Sequence, residues 1–467
     1  MDPKMRWGLP TLLASLACAA GTWAESMPNA SMADLLDSMR AEIQRLHEDN
    51  ARMQREIDDL KAATSDTWLT ERRSDEIRGL VADVLADADV RAANLQGGLT
   101  AGWSEHFYLA SPDGRFKLQL EGQMQVRWVY SYHDIPDRHR HGFENTRTKL
   151  TFRGHAFNPD LTYLIRGNFG RAGGGFRLED AWVQYRMNAD WLVRIGQFKI
   201  PYGREELVSS ARQLAVERSL VSENTNFGRS QGVELIYARD DWKMLFMIHD
   251  GIEDNFGGFE AIQLTTGGNT PALTQDVEWA LSGRYEYLFA GEWDQFDDFT
   301  SPPDEEYGLL LGLAGTYQQF EYGEGAGPFR DEPRMFAANA DLSAEWGGAN
   351  AFGSFTFSYN DNPDFAHIYI YGFVLQGGLY FTPRLEVFSR FEYGWWNFDG
   401  QDFADLHVIT FGANYYLKGH DAKWTTDIGF GISRTEGNWD SDLAGWREDA
   451  GRSEPQIVFR TQFQLLF

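Results

Sequence analysis

The chain has 467 residues and a net charge of −27, from 69 acidic and 42 basic side chains, which excludes nucleic acid as a partner because that needs a basic surface. A mean hydropathy of −0.44, with no run of about eighteen apolar residues, excludes a helical membrane span. Cys18 is the only cysteine, so no internal disulfide is possible.

The first segment reads as a secretory signal over residues 1–24. Lys4 and Arg6 give the positive start, residues 9–20 the short apolar core, and Thr22-Trp23-Ala24 the small residues at a cleavage position. A lipid anchor on Cys18 is the alternative, but Ser15-Leu16-Ala17 places the required apolar residue one position late.

Residues 25–66 are expected to form a coiled coil. Leu36, Ile43, Asn50 and Ile57 take one core position of a heptad; Met32, Met39, Leu46, Met53 and Leu60 take the other. Asn50 would fix register at some cost in stability, and isoleucine opposite Leu or Met leans towards two strands. Residues 67–113 read as an amphipathic helix over 67–94 followed by a connector, with a plug or a cell-wall anchor as alternatives.

From Gly114 the hydrophobic period changes to two. Phe116, Leu118, Leu120, Gly122, Met124, Val126, Trp128, Tyr130 and Tyr132 alternate with Lys117, Gln119, Glu121, Gln123, Gln125 and Arg127. A strand that long, greasy on one face and wet on the other, predicts a membrane-crossing strand with an aromatic girdle at one end. The pattern recurs at 146–157, 161–169, 176–186, 191–199, 231–238, 242–249 and 278–289. It continues at 307–322, 335–346, 351–360, 367–381, 384–398, 406–417, 424–434 and 456–467. The fold class expected is therefore an all-β transmembrane barrel of sixteen antiparallel strands over 114–467, preceded by an α-helical coiled-coil segment. Short and long connections alternate, as periplasmic turns and outer loops would, which places the N-terminal region in the periplasm. Residues 290–306 are the exception: a turn is due there, yet the stretch is long and acidic, so an extra pair of strands is the alternative.

The last strand ends with Phe467, Leu465, Phe463, Phe459 and Ile457 on one face and Gln464, Gln462 and Arg460 on the other. A terminal aromatic of this kind is the expected assembly signal of an outer-membrane barrel.

Three segments carry a family resemblance. They are Arg147-Thr148-Lys149-Leu150-Thr151-Phe152-Arg153-Gly154, then Leu178-Glu179-Asp180-Ala181-Trp182-Val183-Gln184-Tyr185, and Ile195-Gly196-Gln197-Phe198-Lys199-Ile200-Pro201-Tyr202-Gly203-Arg204 with Val216-Glu217-Arg218-Ser219-Leu220. The chain resembles the phosphate-selective porin O and P family, and its N-terminal helices resemble those of planctomycete members. The resemblance implies a homotrimeric outer-membrane porin in which the loop after Lys199 folds into the lumen. Relative to the family one arginine of the second strand is missing. The inward loop carries Arg204, Arg212, Arg218 and Arg229 against Glu205, Glu206, Glu217 and Glu223, a balanced set.

Alternation puts Arg147, Lys149 and Arg153 of the second strand in the lumen, with Arg166, Arg194 and Lys199 extending the basic wall. Together with Arg204, Arg212 and Arg218 these are the candidate pore-lining, anion-binding residues, arginine suiting phosphate by its fork of donors. The plain alternative for each is a wall salt bridge. No G-x-S-x-G, H-E-x-x-H or Walker sequence is present, so no catalytic residue, cofactor or metal is expected. His139-Arg140-His141 reads as a solvated outer loop. The function expected is passive diffusion of small hydrophilic solutes with modest preference for anions such as phosphate. A sugar-selective or general porin, and a structural tether from the outer membrane to a cell-wall polymer, are the alternatives. The expected partners are outer-membrane lipid, small anionic solutes and other copies of the chain.

Overall fold

The computed structural model describes residues 32–68, 99–133, 138–252, 269, 277–320, 333–362, 366–399, 401–432, 439–447 and 456–467. The expected signal segment and almost all of the helix expected over 67–94 lie outside the described residues. The chain divides into two compact units, residues 1–94 and 95–467.

In the first unit, helix α1 (Met32–Trp68) is one continuous helix that carries every expected heptad core residue. Ion pairs one turn apart, such as Arg40 with Asp37 at 3.3 Å and Arg52 with Asp49 at 3.2 Å, line its polar faces. Met39, Ile43, Leu46, Met53 and Ile57 stay 44–56% exposed. A single copy of this helix buries none of that apolar row.

The second unit starts with a hairpin, β1 (Thr100–Ser104) and β2 (His106–Ala110), which the expected connector did not include. Its turn places Glu105 at φ +61°. The barrel follows as β3 (Lys117–His133), β4 (Arg138–His155), β5 (Leu161–Phe169), β6 (Phe176–Arg186), β7 (Trp191–Lys199), β8 (Arg229–Ala238), β9 (Trp242–His249) and β10 (Val277–Ala290). It continues as β11 (Gly308–Phe320), β12 (Arg334–Trp346), β13 (Ala349–Asn362), β14 (Ala366–Thr382), β15 (Leu385–Phe398), β16 (Gln401–Lys418), β17 (Ala422–Gly431) and β18 (Gln456–Leu466). Each strand pairs antiparallel with the next and β18 pairs with β3, so sixteen strands close. Beyond the end of β18, hairpin strand β2 takes over the same edge of β3, from Phe107 opposite Leu120 to Ala110 opposite Lys117.

Closure depends on the last residue. The Phe467 amide donates to the Gly122 carbonyl at 3.0 Å, and the Gly122 amide donates back at 2.6 Å. A side chain at position 122 would come within 2.4 Å of the Phe467 ring. Glycine there lets the terminal aromatic lie across the seam.

Alternation holds along the wall. On β18, Arg460, Gln462 and Gln464 are buried in the lumen while Phe467 is exposed outside. Two sequence expectations change on β4. It begins at Arg138, so His139 and His141 are strand residues, His139 stacked on Tyr130 and His141 tilted against Trp128 of β3, instead of lying in a loop. A bulge at Thr146 then shifts the phase, so Thr146 and Arg147 are both buried, adjacent residues facing one side. Beyond Ala290, the last residue of β10, residues 291–306 hold no strand but a 3₁₀ turn, Trp293–Asp297, which settles the barrel at sixteen strands.

Candidate functional site

The lumen is shaped by the connection between β7 and β8, residues 200–228, which folds inward with two short helices, α2 (Arg204–Leu207) and α3 (Leu220–Thr225). Its apolar side chains Tyr202, Leu214, Val216, Leu220, Val221 and Phe227 are at most 3% exposed. All of these but Val216 pack with wall residues such as Phe352, Ile370, Val374 and Phe388 in one apolar cluster inside the barrel.

Wall side chains satisfy the backbone of this loop, which a loop needs to remain in the interior. Asp427 accepts from the Val216 amide at 3.0 Å, and Glu392 from the Leu220 amide at 2.6 Å. Lys423 donates to the Gln213 carbonyl at 2.8 Å, and Arg390 to the Glu217 carbonyl at 2.8 Å. Within the loop, the Glu205 carboxylate accepts from the Ser219 hydroxyl at 2.6 Å, and Ser219 caps α3. From the opposite side, the connection between β17 and β18 buries Trp439 and Trp446, with Trp439 edge-on to Trp396 at 5.9 Å.

Two spaces share part of their lining. A vestibule of about 960 Å³ is lined by eight lysines or arginines and five aspartates or glutamates. Arg153, Arg166, Arg194, Arg204 and Arg212 of the expected set lie on it, joined by Lys243, Arg284 and Lys418, which sequence reasoning did not single out. Gln123, Arg166 and Ser209 also line a second, polar chamber of about 40 Å³. Five cations surround that chamber: Lys149, Arg166, Lys199, Arg218 and Arg229. Glu206 is the one carboxylate that lines it among the described residues.

These cations come from strands β4, β5, β7 and β8 and from the inward loop. Lys149 pairs with Glu179 at 2.7 Å, and Arg229 with Asp180 at 2.8 Å. Arg166 donates to Thr151 at 2.9 Å and lies 3.4 Å from Asp180. Arg218 meets Glu206 at 3.0 Å and Glu223 at 4.0 Å. Burial lifts the Glu223 carboxyl to about 7, partly offset by Arg218, while burial of Glu206 is outweighed by Arg218 and Lys199, which hold it below its usual range. Counted by formal charge, these five cations stand against Glu179, Asp180, Glu206 and Glu223, of which Glu223 is largely neutral below pH 7. The chamber carries a small positive excess.

Other expected residues are occupied elsewhere. Arg147 makes a forked pair with Glu217, at 2.6 and 3.0 Å, and lines neither space. Arg153 is paired with Glu121 at the vestibule wall. Arg194 donates to Gln184 at 2.8 Å and lies over the Trp182 ring at 4.8 Å. Lys199 donates to the carbonyls of Glu206, Leu207 and Val208, and Arg218 to those of Glu205 and Val208, so both also cap α2. Arg204 donates to two carbonyls of the 290–306 turn, and Arg212 reaches Asp297 at 3.3 Å.

Comparison with known proteins agrees with this architecture. Residues 116–286 match the family model of phosphate-selective porins O and P. A protein of Aquifex aeolicus described only as uncharacterized is 25% identical over 300 residues, 59% of this chain and 64% of that protein, less than two thirds of its length. Among solved structures, the anion-selective porin of Comamonas acidovorans is similar with a TM-score of 0.50 and 14% identity, over 75% of this chain and 99% of that one. Salmonella typhi OmpF in complex with daunomycin is similar to the same degree, with 0.50 and 14%, over 75% and 98%. At such identities the likeness is one of fold, a porin-type β-barrel. The family match spans the first eight barrel strands and the inward loop.

Proposed function

We propose that this barrel is a passive outer-membrane channel for small hydrophilic solutes with a modest preference for small anions, phosphate included. The observation that carries this reading is the cation-lined chamber that shares lining with the vestibule. Its 40 Å³ holds roughly three waters, at the ~10–15 Å³ of such volume each requires. Only a small, largely stripped solute passes a space of that size. Fixed donors in a confined, poorly screened site stabilise an anion, while the distant negative charge of the chain is screened beyond about 8–10 Å. The neighbouring carboxylates keep the preference moderate.

Lys149→Gln with Arg166→Gln tests this, because neither residue caps the inward loop. In a salt gradient across a planar bilayer, the double variant should shift the reversal potential towards cations, and phosphate should block chloride current less. An unchanged reversal potential in a folded barrel would take the chamber out of the permeation path.

The exposed apolar row of α1 supports a second element of the proposal, self-association through this helix. With the family resemblance it favours a homotrimer whose N-terminal region lies in the periplasm and can reach cell-wall polymer.

A further inference from the structure

The connection between β10 and β11 is far longer than its neighbours at the same barrel end, where residues 347–348 suffice between β12 and β13. Its length has a structural use. After Gly291, at φ +88°, a capping box between Glu292 and Gln295 starts the 3₁₀ turn. The segment then turns into the barrel, burying Phe296, Phe299, Thr300 and Ser301 to 4% exposure or less. Phe299 meets Phe352 edge-on at 4.9 Å, so it joins the apolar cluster that holds the inward loop. Its return is fixed by hydrogen bonds from Gly348 to the Pro302 carbonyl at 3.0 Å and from Gly347 to the Glu305 carbonyl at 3.1 Å. Asp298 reaches His420, in the β16–β17 turn, at 3.1 Å.

Arg204 joins this segment to the inward loop. Its two terminal nitrogens donate to the carbonyls of Phe296 at 2.6 Å and Asp298 at 2.8 Å. Its guanidinium lies 5.5 Å from the Phe296 ring centre and 5.0 Å from that of Phe299. Both fork ends are used, and the group is 5% exposed, so little of it is offered to solute. Beside it, Trp293 and Asp297 face the vestibule, Trp293 under the Lys243 ammonium at 3.5 Å.

We infer that residues 291–306 are a second constriction element, entering from the barrel end opposite the mouth of the inward loop, and that Arg204 is the positioning residue that locks the two together. The pore width is then set by two inward segments braced against each other. This rests on the channel reading above.

The test measures single-channel conductance, the size cut-off for neutral polymers added on each side, and the reversal potential. Arg204→Met keeps the apolar contact with both rings and removes both carbonyl donations. It should raise conductance at least twofold and admit larger polymers from the short-turn side, with the anion-to-cation ratio unchanged; Arg204→Lys should recover part of the wild-type value. A second variant replaces residues 292–300 by a Gly-Ser linker of equal length, keeping the Pro302 and Glu305 bonds, and should show the same increase. Unchanged conductance in both variants overturns the inference. So does a ratio that moves towards cations at constant conductance, since Arg204 would then act directly on permeating ions. A wild-type protein with no conductance would sink the channel reading itself, and that is measured first.

Discussion

Replacing Glu217 by glutamine should loosen the inward loop and leave the barrel wall intact. The Glu217 carboxylate is 1% exposed in side chain and accepts from Arg127 at 2.6 Å and from Arg147 at 2.6 Å. These two guanidiniums hold it below its usual carboxylate range despite burial, so it is ionised at neutral pH. Arg127 keeps other partners after the change, Glu144 at 2.7 Å and the Leu443 carbonyl, whereas Arg147 has among the described residues Gln125 at 3.3 Å. Stripping one partner from a buried pair costs ~3–5 kcal/mol, and the low end applies because glutamine keeps one acceptor oxygen. About 3 kcal/mol raises the population of the detached loop roughly a hundredfold. Single-channel recordings should show new fluctuations between conductance levels. The barrel band on unheated gels should remain, because every strand pairing is untouched. A quiet channel would refute the claim that the Arg127–Glu217–Arg147 cluster holds the loop.

Glu223 supplies a pH dependence. Its carboxyl is raised to about 7 in the folded protein, so its contribution favours the folded loop below the ordinary carboxylate value near 4.5 and is lost as pH rises through about 7. Channel fluctuations should therefore be fewer at pH 5 than at pH 8, and Glu223→Gln should flatten that difference; an identical profile in the variant would discard Glu223 as the group responsible. At the seam, deleting Phe467 or introducing Gly122→Val should lower the yield of folded barrel in membranes without altering the conductance of the barrels that insert. Wild-type insertion of both variants would remove the terminal aromatic from assembly. For the helix, Ile43→Asp with Leu46→Asp should abolish a three-chain cross-linked band if α1 drives association. A band that persists would place the trimer contact on the barrel wall.

The strands were legible because their signal is local. A period of two survives in any window of eight residues, and four of the sixteen strand ranges read from alternation coincide with the folded bounds at both ends: β5, β6, β7 and β9. The bulge at Thr146 was not legible, since one added residue changes which neighbours share a face without changing composition. Hairpin β1–β2 has only five residues per strand and mixed exposure, too short for alternation to register.

The basic residues near the lumen were also legible as a set, and their roles were not. Arg147 and Arg204 looked as available as Lys149, yet their partners lie 70 and 92 residues away in sequence. Arg229, known only as one charge of a balanced loop, meets Lys149, Arg166, Lys199 and Arg218 around one chamber because four strands and a folded loop converge there. Sequence determined that this chain alternates, closes on an aromatic residue and carries cations facing inward, since backbone geometry alone imposes those patterns. Which cations are neutralised and which surround open space was decided only by tertiary structure, because charge pairing acts through distance in space and not through separation along the chain.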